Sequence, residues 1–249
     1  MKGRAVKVMM LVLLPAAAAI GQRKTAGDGY LFREPNGMVT LRLGYDLASA
    51  SGDVYSVQRR DLTIGSRGFD GLNWGVDAAF DVGRRWDLGL TVDGNTRSRA
   101  SEYRDWQDNS GQPINQRTTL SSTGLSANLR YNLVDRGRSI SNFAWIPAGL
   151  VPYIGGGVGL QYYELIQSGD FIDFSSANKD VVNDRLTSDG FGLATQAFGG
   201  FLKTLTPHVA LTTEARYTFS RADLNQDYRD LRSIDLSGLA LTIGTSIRF

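Results

Sequence analysis

The feature of this sequence that most constrains its fold is a hydrophobic alternation of period two, which recurs in eight segments. In the first of them, 39–47, the apolar residues Leu41 and Leu43 alternate with the polar residues Thr40 and Arg42. The other segments lie at 72–80, 86–93, 125–133, 153–163, 191–201, 209–219 and 239–249. Such alternation predicts β-strands with one apolar face, and about ten residues suffice for a tilted strand to cross a bilayer.

The connections between these segments also follow a pattern. Long polar connections are predicted as loops at 49–70, 97–120, 166–190 and 220–236, whereas short turns are predicted at 81–86 and 203–208. The connection 134–150 is longer than the other turns. Long loops at one end and mostly short turns at the other are typical of bacterial outer-membrane barrels. The sequence therefore predicts an all-β fold, a closed antiparallel eight-stranded transmembrane β-barrel arranged as an up-and-down meander.

The amino terminus has the layout of an export signal. Lys2, Arg4 and Lys7 precede an apolar stretch, 8–20, which ends in small residues. This arrangement predicts a signal peptide at 1–21, and an N-terminal membrane anchor is the alternative. We expect a short periplasmic lead-in at 22–36, an outer-membrane barrel domain at 37–249, and location in the outer membrane of a Gram-negative-type bacterium.

Composition excludes several classes of function. Lys and Arg total 27 against 25 Asp and Glu, and the net charge of +2 comes from the three cations of the signal peptide. The exported part therefore lacks the basic excess of a nucleic-acid-binding domain, and we predict no nucleic-acid partner. The absence of Cys and the presence of one His exclude disulfide scaffolds, thiolate metal sites and His-rich metal clusters. We predict no cofactor and no metal.

The polar faces of the strands carry charged residues interleaved with Gly and Ser. A soluble barrel, with the apolar faces inside, is the alternative interpretation. Small residues beside long charged ones suit a narrow polar lumen better, and buried charges there must be paired. We predict a lumen charge network, with its pairing left open, made of Arg42, Asp77, Asp87, Arg130, Glu214, Arg216 and Arg248. Interfacial aromatic girdles are predicted from Trp74, Trp86, Tyr131, Tyr153, Tyr162, Tyr217, Phe219 and Phe249.

Three motifs resemble those of small outer-membrane barrels of the OmpA, OmpX and opacity-protein type. The segment PYIGGGVG at 152–159 is similar to one strand of that family, and EARY at 214–217 is similar to its penultimate strand. The last strand resembles the signal that the outer-membrane assembly machinery reads, on Leu241, Ile243, Ile247 and Phe249. The resemblance implies eight strands, insertion by that machinery with periplasmic chaperones as partners, and residence in the outer membrane.

Some barrels of this size modify lipid A, so catalytic residues need consideration. His208 follows Pro207 in a predicted turn, away from the outer leaflet, and we predict that the protein is not an enzyme. A basic and aromatic stretch could contact lipopolysaccharide phosphates or pack on itself; it contains Arg97, Arg99, Tyr103, Arg104 and Trp106. The leading hypothesis is a structural or surface barrel that contributes to envelope integrity, adhesion or ligand contact. The alternatives are a narrow channel for small hydrophobic solutes, of the OmpW type, and a lipid A-modifying enzyme.

Overall fold

A computed structural model describes residues 29–249 except 109, 174–175, 177–178 and 229. The predicted signal peptide, 1–21, and the first part of the predicted lead-in, 22–28, lie outside the described residues.

The described residues form a barrel of antiparallel strands. In chain order the strands are β1 (Gly37–Ala48), β2 (Gly71–Asp81), β3 (Trp86–Gln107), β4 (Pro113–Asn132), β5 (Gly137–Ser141), β6 (Ala144–Pro147), β7 (Leu150–Ile172), β8 (Val181–Thr204), β9 (Val209–Asp223), β10 (Ser233–Asp235) and β11 (Gly238–Arg248). Eight of the described strands pair around a ring in the order β1, β2, β3, β4, β7, β8, β9, β11. The ring closes between β11 and β1, from Met38 opposite Arg248 to Ala48 opposite Gly238. The predicted closed eight-stranded meander is confirmed.

The outer surface of the barrel carries an apolar belt. Leu43 is 67% exposed, whereas its neighbour Arg42 is 2% exposed because it faces the lumen. Exposed apolar side chains continue around the ring at Leu90, Leu125, Val158, Leu193 and Ile243. A closed ring leaves no strand edge unpaired, which is what hydrocarbon requires of a spanning sheet. The belt and the closure together indicate a barrel that spans a lipid bilayer.

No helix in the described part of the chain is long and apolar enough to cross a membrane.

Four strands are much longer than the predicted ten residues. β3, β4, β7 and β8 contain 22, 20, 23 and 24 residues, so most of the predicted loops 97–120 and 166–190 is strand. The connections that remain are 108–112 and 173–180. At about 3.3 Å per residue, these strands reach about 65–80 Å, well beyond a hydrocarbon core of about 30 Å. Beyond the spanning part the outer faces of these strands are mostly polar and their inner faces mix polar and apolar residues, so the regular alternation is lost.

The ends of the barrel differ. The end with the long connections, called the loop end, contains the helix α1 (Asp53–Asp61), two 3₁₀ turns, Ser66–Phe69 and Gln226–Tyr228, and β10. The other end, called the turn end, has short turns at 82–85 and 205–208. Its longer connection forms the β5–β6 hairpin. Leu31 of the lead-in adds to the edge of this hairpin through two backbone hydrogen bonds with Trp145, each 2.8 Å long.

Candidate functional site

The lumen is filled by the side chains that alternate with the apolar belt. Arg42 of β1 lies between Gly75 of β2 and Gly244 of β11 in the strand register. A Cβ atom at Gly75 would lie 2.8 Å from Nη2 of Arg42, and one at Gly244 would lie 2.9 Å from its Cγ. The two glycines therefore leave space on the neighbouring strands for the arginine side chain, which extends into the lumen between them.

The centre of the lumen holds two arginines and two acids. Arg42 donates from Nε to Oδ2 of Asp77 over 2.5 Å and from Nη2 to Oδ1 over 3.0 Å. Its Nη1 lies 3.3 Å from Oε1 of Glu214. Arg216 donates from Nε to the same Oε1 over 2.9 Å, and its Nη2 lies 3.7 Å from Oδ1 of Asp77. These four predicted network residues form one closed cluster across β1, β2 and β9.

Neutral side chains complete the hydrogen bonds of this cluster. Tyr153 donates its hydroxyl to Oε2 of Glu214 over 2.9 Å, and Thr91 donates to Oδ1 of Asp77 over 2.5 Å. The ring of Phe198 lies 4.4 Å from the guanidinium carbon of Arg216. Tyr153 is 2% exposed, so its assignment to an interfacial girdle is wrong. It occupies an inward position because residues 153, 155, 157, 159 and 161 of β7 face the lumen.

A second cluster lies nearer the turn end. Asp87 accepts a hydrogen bond from Asn132 and pairs with Arg130, whose Nη2 is 2.6 Å from Oδ2. Asp87 also pairs with Arg136, whose Nη1 lies 2.5 Å from Oδ1 of Asp81. Arg136 was not predicted, because it lies in the connection after β4, outside any alternating segment. The need of Asp81 and Asp87 for cations was the signal that could have located it.

The remaining predicted network residue, Arg248, has neutral partners. Its Nη1 donates to the backbone oxygen of Pro207 over 3.2 Å, and its Nη2 donates to the hydroxyl of Thr204 over 2.9 Å. The guanidinium therefore ties the end of β11 to the neighbouring turn, and no carboxylate lies within ion-pair distance of it among the described residues.

Towards the loop end, Asp46 accepts hydrogen bonds from Asn95 and from Arg97. Arg97 falls in the predicted loop 97–120, but β3 continues through it and directs it inward. The next members of the basic stretch also bond within the protein: Arg99 donates to the backbone oxygen of Asp70, and Arg104 donates to that of Leu62. The stretch thus largely packs on the protein itself.

An apolar plug closes the loop end of the lumen. It is a buried cluster contributed by the first connection, the last connection and the inner faces of β4, β7 and β9. It consists of Ala50, Val54, Tyr55, Leu62, Ile64, Phe69, Leu120, Tyr163, Leu165, Ala222, Leu224, Tyr228, Ile234 and Leu236. The hydroxyl of Tyr55 donates to the backbone oxygen of Asp235 over 2.7 Å, joining the first connection to the last. Burial raises the pKa of the Tyr55 phenol above its usual value.

A second apolar cluster lies at the turn end, formed by Met38, Ala79, Val151, Tyr153, Phe198, Leu202 and Ala210. Buried Trp145 of the β5–β6 hairpin lies beside it, next to Arg136 and Arg248. Between the two apolar clusters, the lumen cavities are about 20 and 30 Å³. Volumes of that size hold one or a few water molecules.

The predicted assembly residues lie on the outside of the last strand. Leu241, Ile243 and Phe249 are exposed and Ile247 is half-buried, all on the belt face of β11 or directly after it. The ring of Phe249 packs edge-on against Phe80, with 6.2 Å between the centroids, at the turn end.

No cluster of three or more His, Cys, Asp or Glu residues suited to a metal ion occurs among the residues that the structure describes. The lone His208 lies in the turn between β8 and β9, where its backbone oxygen accepts a hydrogen bond from the amide of Arg248.

No protein-family model matches the sequence, and no curated protein matches it. Several solved structures are similar to it. Neisserial surface protein A is 14% identical, with 86% of this chain and 97% of that chain covered and a TM-score of 0.45. OprG of Pseudomonas aeruginosa is 14% identical, with 88% and 99% covered and a TM-score of 0.46.

A third similar structure is Ail of Yersinia pestis, which is 10% identical, with 86% of this chain and 99% of that chain covered and a TM-score of 0.42. The first is named a surface protein and the second an outer membrane protein. These likenesses concern the fold alone, so the function has to be inferred from the side chains of this chain.

Proposed function

We propose that this protein is an integral outer-membrane barrel with a closed lumen, which stabilises the envelope and presents a rigid surface at its loop end. The observation that carries the proposal is the filled lumen. Salt-bridged residues occupy its centre, and an apolar cluster lies at each end. A filled lumen obstructs conduction, whereas the buried polar network that fills it makes a structural barrel more rigid.

The loop end supports a role in surface contact. Beyond the belt, the paired strands β3, β4, β7 and β8 continue as a wall. The plug, which includes residues of α1 and Tyr228, packs against the inner face of this wall. Strands supported by a core hold surface side chains more precisely than mobile loops do. At the tip of this wall, the ammonium group of Lys179 lies 4.4 Å from the centroid of the Trp106 ring.

Three groups of partners belong to this proposal. Outer-membrane lipids, including lipopolysaccharide, contact the belt and the aromatic residues beside it. The assembly machinery binds the exposed apolar row of β11, and periplasmic chaperones bind the chain before it folds. The signal peptide delivers it to the periplasm. The proposal assigns no catalytic role to His208, and it disfavours the narrow channel for hydrophobic solutes because the lumen is lined by charges.

Planar-bilayer recordings test the closed lumen. The refolded protein, inserted at a density verified by its heat-modifiable gel mobility, is expected to give no sustained current above the bare-bilayer leak. A general porin in the same bilayer serves as the positive control. Regular unitary current steps from the wild-type protein would overturn the closed lumen and favour the channel.

A variant that replaces Arg42, Asp77, Glu214 and Arg216 with Ser provides the matched comparison. If the network blocks the lumen, the folded variant conducts more than the wild type. If the folded variant also gives no current, the apolar clusters rather than the charged network block the lumen.

A further inference from the structure

The central cluster leaves one lumen carboxylate without an ion pair. Asp93 lies on the inner face of β3, and its buried Oδ1 has no hydrogen-bond partner among the described residues. Arg42 and Arg216 line the same cavity as Asp93. All their guanidinium nitrogens, however, are directed at Asp77, Glu214 or Gln196.

Two neutral oxygens without partners line this cavity as well. Oδ1 of Asn73 and Oε1 of Gln161 are buried and have no hydrogen-bond partner among the described residues. Asn73 and Gln161 are each 6% exposed, so the solvent does not reach these oxygens from outside. The cavity is thus lined by three side-chain oxygens without hydrogen-bond partners among the described residues, one of which belongs to a carboxyl group.

The orientation of the Gln161 amide follows from a hydrogen-bond chain. Asp46 can only accept, so Asn95 donates its Nδ2 to it over 2.8 Å and presents Oδ1 on its other side. Ser122 donates its hydroxyl to this Oδ1 over 3.1 Å, and Gln161 donates Nε2 to the Ser122 oxygen over 3.2 Å. Reversing the Gln161 amide would break the chain, so its oxygen must be the atom that lines the cavity.

The strand register brings these groups together. Asp93 and Gln161 lie in one row across β3, β4 and β7, separated by Gly124. A Cβ atom at Gly124 would lie 3.2 Å from Oδ1 of Asp93, so the glycine leaves the acid room beside Gln161. Asn73 enters from β2, one lumen-facing position from Gly75, which pairs with Asp93.

We propose that this cavity is a binding site for one monovalent cation of the size of sodium, held by Asp93, Asn73 and Gln161. Oxygen acceptors without partners around one carboxylate that has no ion pair match a hard cation of single charge. The cavity of about 20 Å³ is too small for a divalent ion that retains several waters. The cation would neutralise Asp93 and complete the packing of the lumen below the plug.

The test is urea unfolding of the refolded mature protein in detergent micelles, in sodium chloride and in choline chloride at equal ionic strength. Choline is too large for the cavity, so it controls for the screening of surface charges. We expect a higher unfolding midpoint in sodium. At sodium concentrations well above the dissociation constant of the site, the unfolding equilibrium constant should fall about tenfold for each tenfold increase in sodium concentration.

Variants assign the effect to the site. Asp93→Asn should abolish the difference between the two salts, and Gln161→Leu should raise the sodium concentration needed for half of the effect. Asp61→Asn, at an exposed acid outside the barrel, should leave the difference unchanged. Equal midpoints of the wild type in the two salts, or a full sodium effect in Asp93→Asn, would overturn the site. Gln161→Leu keeps every lumen charge, so it tests the site if Asp93→Asn does not fold. An unchanged sodium dependence in Gln161→Leu would then overturn the site.

Discussion

Arg42 and Asp77 form a two-pronged ion pair in the middle of the barrel, with Nε to Oδ2 at 2.5 Å and Nη2 to Oδ1 at 3.0 Å. The pair joins neighbouring strands, β1 and β2, and it extends across the lumen through Glu214 to β9. A buried pair with further hydrogen bonds is costly to break from one side, because the remaining charge is left uncompensated.

The first prediction concerns this pair. Asp77→Asn should lower the free energy of unfolding by about 3–5 kcal/mol, because it leaves Arg42 and Arg216 facing each other with one acid fewer. Urea unfolding in micelles measures the change. The control is Asp61→Asn, which breaks the exposed pair with Arg60 and should leave the midpoint unchanged within error. Equal effects of the two substitutions would show that the lumen network does not stabilise the fold.

The second prediction concerns the seam between the first and last strands. Gly44 of β1 faces the lumen beside β11, and a Cβ atom there would lie 2.0 Å from the backbone oxygen of Leu241. Gly44→Ala must therefore push β1 and β11 apart, with an expected cost of about 1–3 kcal/mol in unfolding free energy.

Gly149→Ala is the control for the seam, because a Cβ atom at Gly149 meets no atom within 4 Å. Heat-modifiable mobility should be lost at a lower temperature in Gly44→Ala and at the wild-type temperature in Gly149→Ala. A wild-type transition in both variants would argue against the tight closure.

The third prediction compares two outward positions of β7. Val158, 64% exposed in the belt, should tolerate Arg poorly, with a cost of about 2–4 kcal/mol near the bilayer midplane. Ile166 lies on the same face of the same strand, beyond Tyr162, and Ile166→Arg should cost only about 0–1 kcal/mol. Folding titrations into lipid vesicles measure both values. If both variants fold equally poorly, the wall above the belt lies in the bilayer rather than in water.

The fourth prediction concerns the plug and alkaline pH. The raised pKa of Tyr55 means that its phenol stays protonated in the folded protein when it ionises in the unfolded chain, near pH 10. Its contribution to stability is therefore complete below pH 10 and is lost as the pH rises above it.

Tyr55→Phe should lose less stability between pH 9 and pH 11 than the wild type does, and a series of urea unfolding curves over that range checks this expectation. Tyr45→Phe, at an exposed belt tyrosine, is the control. Parallel losses in the wild type and in Tyr55→Phe would mean that the plug does not bury this hydroxyl.

The parts of the fold that the sequence predicted are those on which lipid imposes a pattern. Residues 39–47 alternate strictly, and residues 239–249 do so except at Thr245, because one face meets hydrocarbon and the other meets the lumen. The strand continuations at 97–107 and 113–120 carry mostly polar residues, and the buried Ile114 and Leu120 are too few to produce an alternation that distinguishes them from loops. The helix Asp53–Asp61 was missed for a related reason, since its buried residues are only Val54, Tyr55 and Gln58.

The site was predicted as a set of residues but not as a set of pairs. Alternation places Arg42, Asp77 and Glu214 inside the barrel, yet which of them meet depends on strand tilt and on the register between strands. Arg97 and Arg136 could not be found by alternation, because one lies in a polar continuation and the other in a turn. The unpaired state of Asp93 likewise emerges only after the other acids have been assigned their arginines.

Site-directed spin labelling tests most directly whether the apolar faces of the strands contact lipid. The chain contains no Cys, so single cysteines can be introduced and labelled without background. In vesicles, labels at Leu43, Val158 and Leu241 should collide with oxygen dissolved in the bilayer and be shielded from a water-soluble nickel chelate, whereas a label at Ile166 should behave in the opposite way. Access of the nickel chelate to all four positions alike would contradict the account.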